Sequence, residues 1–290
     1  MTVQELAARL ALPRRSHEAA LAVPLSGAEE QAWRRLFVQD QQAFEEELSR
    51  REAPERLALA LYLRWGVRTY EEYRGRGIPD AVFWDTFQDL ALWSKECERI
   101  TGRPGLIEWG WNGLLLRMDV VRLGRLEYQP RTLDQGILSG EVSLAAGTPV
   151  LEVHIPAGTR LRRDDLLSSL NTAGAFFQRY FQRDFLWFHC HSWLLSPELR
   201  ELLTAESGIL QFQHLFTVYD EDFPIRQAEE RVFGTVEQDP REYPENTSLQ
   251  RALKNYLLEG KCVGMGKGIR RTAVSALDSQ WRRGLPVQDA

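Results

Sequence analysis

The ten residues Leu186-Trp-Phe-His-Cys-His-Ser-Trp-Leu-Leu195 place two imidazoles, a thiol and a hydroxyl at consecutive positions of an otherwise apolar run. Such a run reads as an interior strand, and strand side chains alternate between faces. Trp187, His189, His191 and Trp193 therefore share one face, and Phe188, Cys190, Ser192 and Leu194 the other. A second run, Val150-Leu-Glu-Val-His-Ile-Pro156, divides the same way, with Val150, Glu152, His154 and Pro156 opposite Leu151, Val153 and Ile155. If the two strands are parallel neighbours, Glu152 and His154 come beside His189 and His191. Three chemistries suit that set. The residues can be satisfied polar groups on a half-exposed face, with no catalytic duty. They can exchange protons near neutrality, as removal of a proton from an amine or a water requires. Glu-x-His with His-x-His can also supply ligands to zinc or iron. In the acid/base reading Glu152 is the first candidate base, because burial between Leu151 and Val153 raises a carboxyl pKa. His154 is the second, with His191 as neighbour. The quiet alternative pairs Glu152 with Arg122 or Arg125 across the sheet, which would lower its pKa.

Cys190 is either a nucleophile beside a neighbouring histidine or a small buried hydrophobe with a raised pKa, and its place between Phe188 and Leu194 favours the second. Ser192 lacks the Gly-x-Ser-x-Gly elbow that exposes a nucleophilic hydroxyl. Two glycine-containing loops are candidates for phosphate. Ala157-Gly-Thr-Arg-Leu-Arg-Arg163 leads from a strand into a helix, so free backbone N–H groups and Arg160, Arg162 and Arg163 can face an anion, although Asp164 and Asp165 already complement the helix dipole. Gly264-Met-Gly-Lys-Gly268 has neither phosphate-loop spacing nor a convincing helix after it, and reads as a tight turn between short strands.

The elements that position these residues follow from periodicity. Up to about residue 105 apolar positions recur three and four apart. Thr2-x-x-Glu5 and Ser26-x-x-Glu29 fit capping boxes, and the spacing predicts helices over 28–50, 55–73 and from Pro79 to just before Gly102, the second of them apolar on most sides as the centre of a bundle. Beyond Gly105, the β-branched and aromatic runs 120–128, 150–156, 186–195 and 209–219 read as strands. Between the second and third, residues 164–181 carry Leu166, Leu167, Leu170, Ala173, Phe176, Phe177 and Phe181 at helical spacing, which makes a βαβ unit with parallel strands. Shorter helices are expected over 196–203 and 246–258. The fold class is α+β: a helical domain over 1–105, a mixed sheet flanked by helices over 106–275, and a tail over 276–290.

Composition excludes some functions. The 290 residues carry 36 Lys+Arg against 41 Asp+Glu, a net charge of -5, which removes the whole-protein attraction of a general nucleic-acid binder. Three cysteines, Cys97, Cys190 and Cys262, with no Cys-x-x-Cys pair, suit a reducing cytoplasm better than a disulfide framework or a Cys-rich zinc site. No signal-like start or run of about 18 apolar residues points to export or to a membrane.

Val150 to Pro156, the helix with Phe176-Phe177, Cys190-His-Ser-Trp-Leu-Leu-Ser-Pro197, Gly208-Ile-Leu-Gln-Phe-Gln-His-Leu-Phe216, Arg231-Val-Phe-Gly234 and Thr247-Ser-Leu-Gln-Arg-Ala252 together resemble a bacterial family of acyltransferase-domain proteins. In that family a helical domain precedes a domain similar to the GNAT superfamily of acyl-CoA-dependent N-acyltransferases. The resemblance implies that the two strands splay around acetyl-CoA or another acyl-CoA. The strand end and loop that hold it would be Ile155, Pro156, Gly158, Thr159, Arg160, Arg162 and Arg163. The superfamily's Arg/Gln-x-x-Gly-x-Gly/Ala loop is absent, Gly158 standing alone. Glu152, His154, His189, His191 and Cys190 are then the candidate catalytic residues, with Tyr219 a candidate to protonate the departing thiolate. The implied activity is acyl transfer to an amine of a small molecule or peptide. The alternatives are a GNAT-like module that binds without catalysis and a metal-dependent enzyme built on the Glu/His cluster.

Overall fold

Capping chemistry starts the first helices where hydroxyls precede acids. Thr2 and Ser26 each accept the N–H three residues on while Glu5 and Glu29 reach back, opening α1 (Val3–Arg9) and α3 (Gly27–Gln39), with α2 (Arg14–Leu21) between them. The single helix expected over 28–50 is two. Asp40 adopts extended backbone (φ -151, ψ 100) and its carboxylate accepts from Ala43 N–H, so the chain breaks there and restarts as α4 (Gln41–Ser49). This is the competition an Asp side chain offers to continued helix. α5 (Pro54–Gly75) is the central member, with Leu59, Leu61, Tyr62, Leu63 and Trp65 fully buried. α6 (Asp80–Thr101) ends at Gly102 in the left-handed region, φ +70, and is followed by α7 (Trp109–Leu116) and a short strand β1 (Val121–Leu123).

The computed structural model describes residues 1–158, 160–223 and 225–272. The chain divides into two compact units, Met1–Leu123 and Gly124–Ala290. The tail over 276–290 lies outside the described residues, as does Thr159. Among the described residues no helix is long and apolar enough to cross a membrane.

The second unit is a mixed sheet flanked by helices. Its elements are β2 (Leu126–Thr132), the hairpin β3 (Ile137–Ser139) and β4 (Val142–Leu144), β5 (Pro149–His154), α8 (Arg163–Phe181), β6 (Trp187–Ser192), α9 (Leu199–Leu202), α10 (Gly208–Gln213), β7 (Thr217–Asp222), α11 (Gln227–Phe233), α12 (Ser248–Leu258) and β8 (Met265–Arg271). Five strands lie in the order β2-β5-β6-β8-β7. β5 and β6 are parallel, joined through α8 as the periodicity predicts; β2–β5, β6–β8 and β7–β8 are antiparallel. The apolar stripe of α8 lies over the face carrying Phe188 and Tyr128: Tyr128 OH and Ser169 Oγ are 2.8 Å apart, and the Tyr128 and Phe188 rings are 5.8 Å apart.

Five expectations are corrected. The strand over 120–128 is broken at Gly124 (φ +68), which turns β1 into β2. The strand over 186–195 ends at Ser192, whose hydroxyl accepts from Leu194 N–H and starts a 3₁₀ turn, Trp193–Leu195; Trp193 joins the cluster of Leu199, Leu210 and Leu253 rather than the histidine face. The strand over 209–219 is α10 followed by β7, because Ser207 caps Ile209 N–H and a helix buries Leu210 and Phe212. The helix over 196–203 is reduced to α9. The supposed turn Gly264–Gly268 enters β8 at Met265, and there Gly266 and Gly268 fall on one face and let the Trp193–Leu195 turn press on the backbone. A Cβ on Gly266 would stand 2.5 Å from Leu195 O. Gly266→Ala is therefore expected to cost about 1–3 kcal/mol of stability by overpacking. A urea midpoint equal to that of the wild type would show that this contact does not constrain β8.

Candidate functional site

The parallel register sets Glu152 directly opposite His189, and His189 is opposite Ile269 of β8, which is opposite Thr217 of β7. The next row is His191, Lys267 and Asp220. On this face Glu152 Oε2 lies 2.5 Å from His189 Nδ1, and Tyr219 OH lies 2.9 Å from His189 Nε2. A carboxylate on Nδ1 holds the proton there and leaves the Nε2 lone pair to accept from the tyrosine. The result is a three-residue relay, Glu152–His189–Tyr219, with the Glu152 and His189 side chains only 16% and 13% exposed. Below it Val150, Ile269, Leu133 and Ile137 form a small apolar cluster against which Trp187 and Tyr219 pack.

Electrostatics assign different states to the members. Burial pushes the Glu152 carboxyl up, but the hydrogen bond and charge of His189, with His154 and a backbone bond from His191, outweigh it and hold the group below the usual carboxylate range. The upward shift expected from the sequence is thus reversed: Glu152 is an ionised partner of His189, not a poised base, and an imidazole rather than an arginine engages it. Arg125 instead donates to Pro156 O at 2.8 Å, pinning the end of β5. Burial drives His154 down to about 4, so it is neutral at pH 7, with its Nε2 3.2 Å from Gln129 Oε1. Burial raises the Tyr219 hydroxyl to about 12, which keeps it a proton donor. Burial also lowers His191, whose Nε2 stands 3.1 Å from Asp222 Oδ2 but out of line for a hydrogen bond. Cys190 is fully buried on the opposite face, its thiol pushed far up by burial.

A second feature lies where β5 leads into α8. A cavity of about 580 Å³ is lined by Arg160, Arg162, Arg163, Ser207, Gly208 and Gln211, with Asp164 and Glu206 also on its wall. The N-cap residue of the 19-residue α8, Arg162, makes no side-chain cap bond, and the first N–H groups of a helix can bond an anion. Gly208 permits the close approach that closes the cavity: a Cβ there would stand 2.2 Å from Leu161 O. Arg270 of β8 adds charge nearby, its guanidinium lowered by burial and by Arg163. Ile155 and Pro156 precede this loop, and Gly158 turns it at φ +118. Sequence reasoning missed Arg270, Asp222, Lys267 and the α10 residues of the cavity, because no local motif marks them. Among the described residues no three His, Cys, Asp or Glu side chains are grouped to hold a metal ion, so the metal reading has no geometry behind it.

A parallel strand pair in register at Leu151–Phe188 and Glu152–His189, beside a cationic helix start, is the arrangement that the resemblance to GNAT-like acyltransferases implies. Residues 120–270 match the GNAT-like C-terminal domain and residues 1–118 the N-acyltransferase N-terminal domain. The chain belongs to this family. Its fold is similar to that of an acyltransferase solved with decanoyl-CoA and teicoplanin, at 26% identity and a TM-score of 0.75, over 93% of this chain and 88% of that one. It is equally similar to an acyltransferase solved with decanoyl-CoA (26%, TM-score 0.76) and to one solved with CoA and 10C-teicoplanin (25%, TM-score 0.75), each over the same shares of the two chains. Among curated proteins nothing matches.

Proposed function

We propose that this protein transfers an acyl group from acyl-CoA to an amine of a small molecule or peptide, through the Glu152–His189–Tyr219 relay. The observation that carries the reading is the relay itself: an imidazole held on both nitrogens, at 2.5 and 2.9 Å, on the face between parallel strands. The relay and the arginine-lined cavity both belong to the second unit, which we take as the transferase domain. Structures of similar chains with decanoyl-CoA support an acyl-CoA donor, and one with teicoplanin supports a peptide-like acceptor.

The residues present fit CoA: three arginines and a helix start can bond phosphate oxygens, and guanidinium groups do so in pairs. When bound, acyl-CoA supplies a thioester carbonyl whose C–S bond breaks as the amine nitrogen forms the amide. The Tyr219 oxygen takes the proton the amine loses as the tyrosine passes its own proton to His189 Nε2, and Glu152 stabilises the imidazolium that results. Tyr219 gives its hydroxyl proton to the departing thiolate sulfur and recovers one from His189, so no net proton stays on the protein.

The test is a thermal-shift titration with CoA and decanoyl-CoA. At 100 times its dissociation constant a ligand of the folded state stabilises it by about 2.7 kcal/mol. Arg160→Ala, Arg162→Ala or Arg163→Ala is expected to remove about 1.5–3 kcal/mol of that affinity, the range for hydrogen bonds to charged groups. A flat titration with both ligands would sink the transferase reading, and unchanged affinity in all three variants would move the phosphates elsewhere.

A further inference from the structure

The position of Tyr219 does not follow from strand alternation alone. At the start of β7 Thr217 is opposite Ile269 and Val218 opposite Gly268; then Asp220, not Tyr219, is opposite Lys267, and Glu221 and Asp222 follow opposite Gly266 and Met265. Tyr219 is therefore an extra residue, a β-bulge, and bulges bend the strand and re-aim side chains. In an unbroken register Tyr219 would be opposite Lys267, in the row of His191. Its hydroxyl is found instead on His189, one row back.

The bulge has a second consequence. Without it, alternation from Thr217 would put Glu221 on the histidine face and turn Asp220 and Asp222 away. With it, Asp220 and Asp222 both face Lys267, whose ammonium lies 2.9 Å from Asp220 Oδ2 and 3.0 Å from Asp222 Oδ1. Glu221 turns to the other face, beside Ser196 and Glu198. Asp222 Oδ2 also reaches His191. Two carboxylates on neighbouring positions of one face repel each other, and a single cation between them removes that cost.

We propose that Lys267 is a positioning residue for the relay: by bridging Asp220 and Asp222 it holds the bulge that sets the Tyr219 hydroxyl on His189 Nε2. The inference rests on the relay reading above. With Lys267 removed, Asp220 loses its cation and Asp222 keeps only its contact with His191, so β7 is freed to continue the Thr217 register, in which Tyr219 moves to the row of His191.

The experiment reads the imidazole directly. In protein labelled with ¹⁵N at histidine, the His189 Nε2 shift reports whether that nitrogen accepts a hydrogen bond, and Tyr219→Phe supplies the value without it. Lys267→Met is expected to move the His189 Nε2 signal at least half-way to the Tyr219→Phe value and to lower kcat about tenfold, with the affinity for decanoyl-CoA unchanged. Lys267→Arg is expected to restore both. Should Lys267→Met fail to fold, Asp220→Asn, at a half-exposed side chain, is expected to shift the signal in the same direction. A wild-type His189 signal in folded Lys267→Met or Asp220→Asn, with Tyr219→Phe displaced, overturns the positioning role alone. A wild-type signal in Tyr219→Phe overturns the relay, and this inference with it.

Discussion

Replacing His189 with alanine is expected to lower kcat by about 10²- to 10⁴-fold, the contribution of a positioned acid/base group, with KM for acyl-CoA within about threefold of wild type. The loss falls on kcat because the imidazole receives a proton only as the amine attacks, and an interaction made in the transition state alone does not alter ground-state binding. Glu152→Gln keeps the shape of the Nδ1 partner but removes the charge that stabilises the imidazolium. Its loss is expected to be smaller than that of His189→Ala and still to exceed about tenfold, between pH ~6 and ~9. The measurement is CoA release from decanoyl-CoA with an amine acceptor, teicoplanin being the first to try. Turnover by His189→Ala within threefold of wild type would remove His189 as the proton acceptor.

The second large effect is on stability against acid. His154 has a folded-state pKa of about 4, against about 6.5 for free histidine, because burial disfavours the imidazolium. Between those values the unfolded chain binds more protons than the folded one. Stability is therefore fully present above pH ~6.5 and is lost as pH falls toward ~4, by about 3 kcal/mol in all. Glu152, which favours the charged His154, and Arg131, which opposes it, both act on the group, and Gln129 holds its Nε2. Glu221, held above the usual carboxylate range chiefly by burial, gives the opposite slope over part of the same window. The quantity to compare is thus the difference between wild type and His154→Gln, in which the contribution of Glu221 cancels. Wild type is expected to lose about 3 kcal/mol more than His154→Gln between pH ~6.5 and ~4, read from urea unfolding at each pH. Parallel stability curves would show that His154 is not buried neutral.

Much of the site was legible in the residues. Period-two alternation put Glu152 and His189 on strand faces that meet if their strands are parallel, and the helical spacing of Leu166 to Phe181 supplied the parallel crossover. Capping boxes at Thr2 and Ser26 located two helix starts, because cap, acid and spacing are all local. Segments whose apolar residues fit two periods were not legible. Ile209 to Phe216 alternates well enough for a strand, yet Ser207 caps it as α10. That helix then brings Ser207, Gly208 and Gln211 to the cavity of the arginine loop.

The sequence by itself determined the two-part architecture, the βαβ unit and the meeting of a carboxylate with an imidazole, since each follows from spacing within a few residues or from one crossover. Only the tertiary structure decided the protonation logic and the aim of the tyrosine. A pKa depends on burial and on charges from distant strands: burial would have raised Glu152, and the hydrogen bond from His189 reversed that balance. The Tyr219 hydroxyl reaches His189 through one unpaired residue in β7, facing Lys267 some 50 residues further along the chain. A bulge is a property of two strands in register, so neither strand read alone contains it.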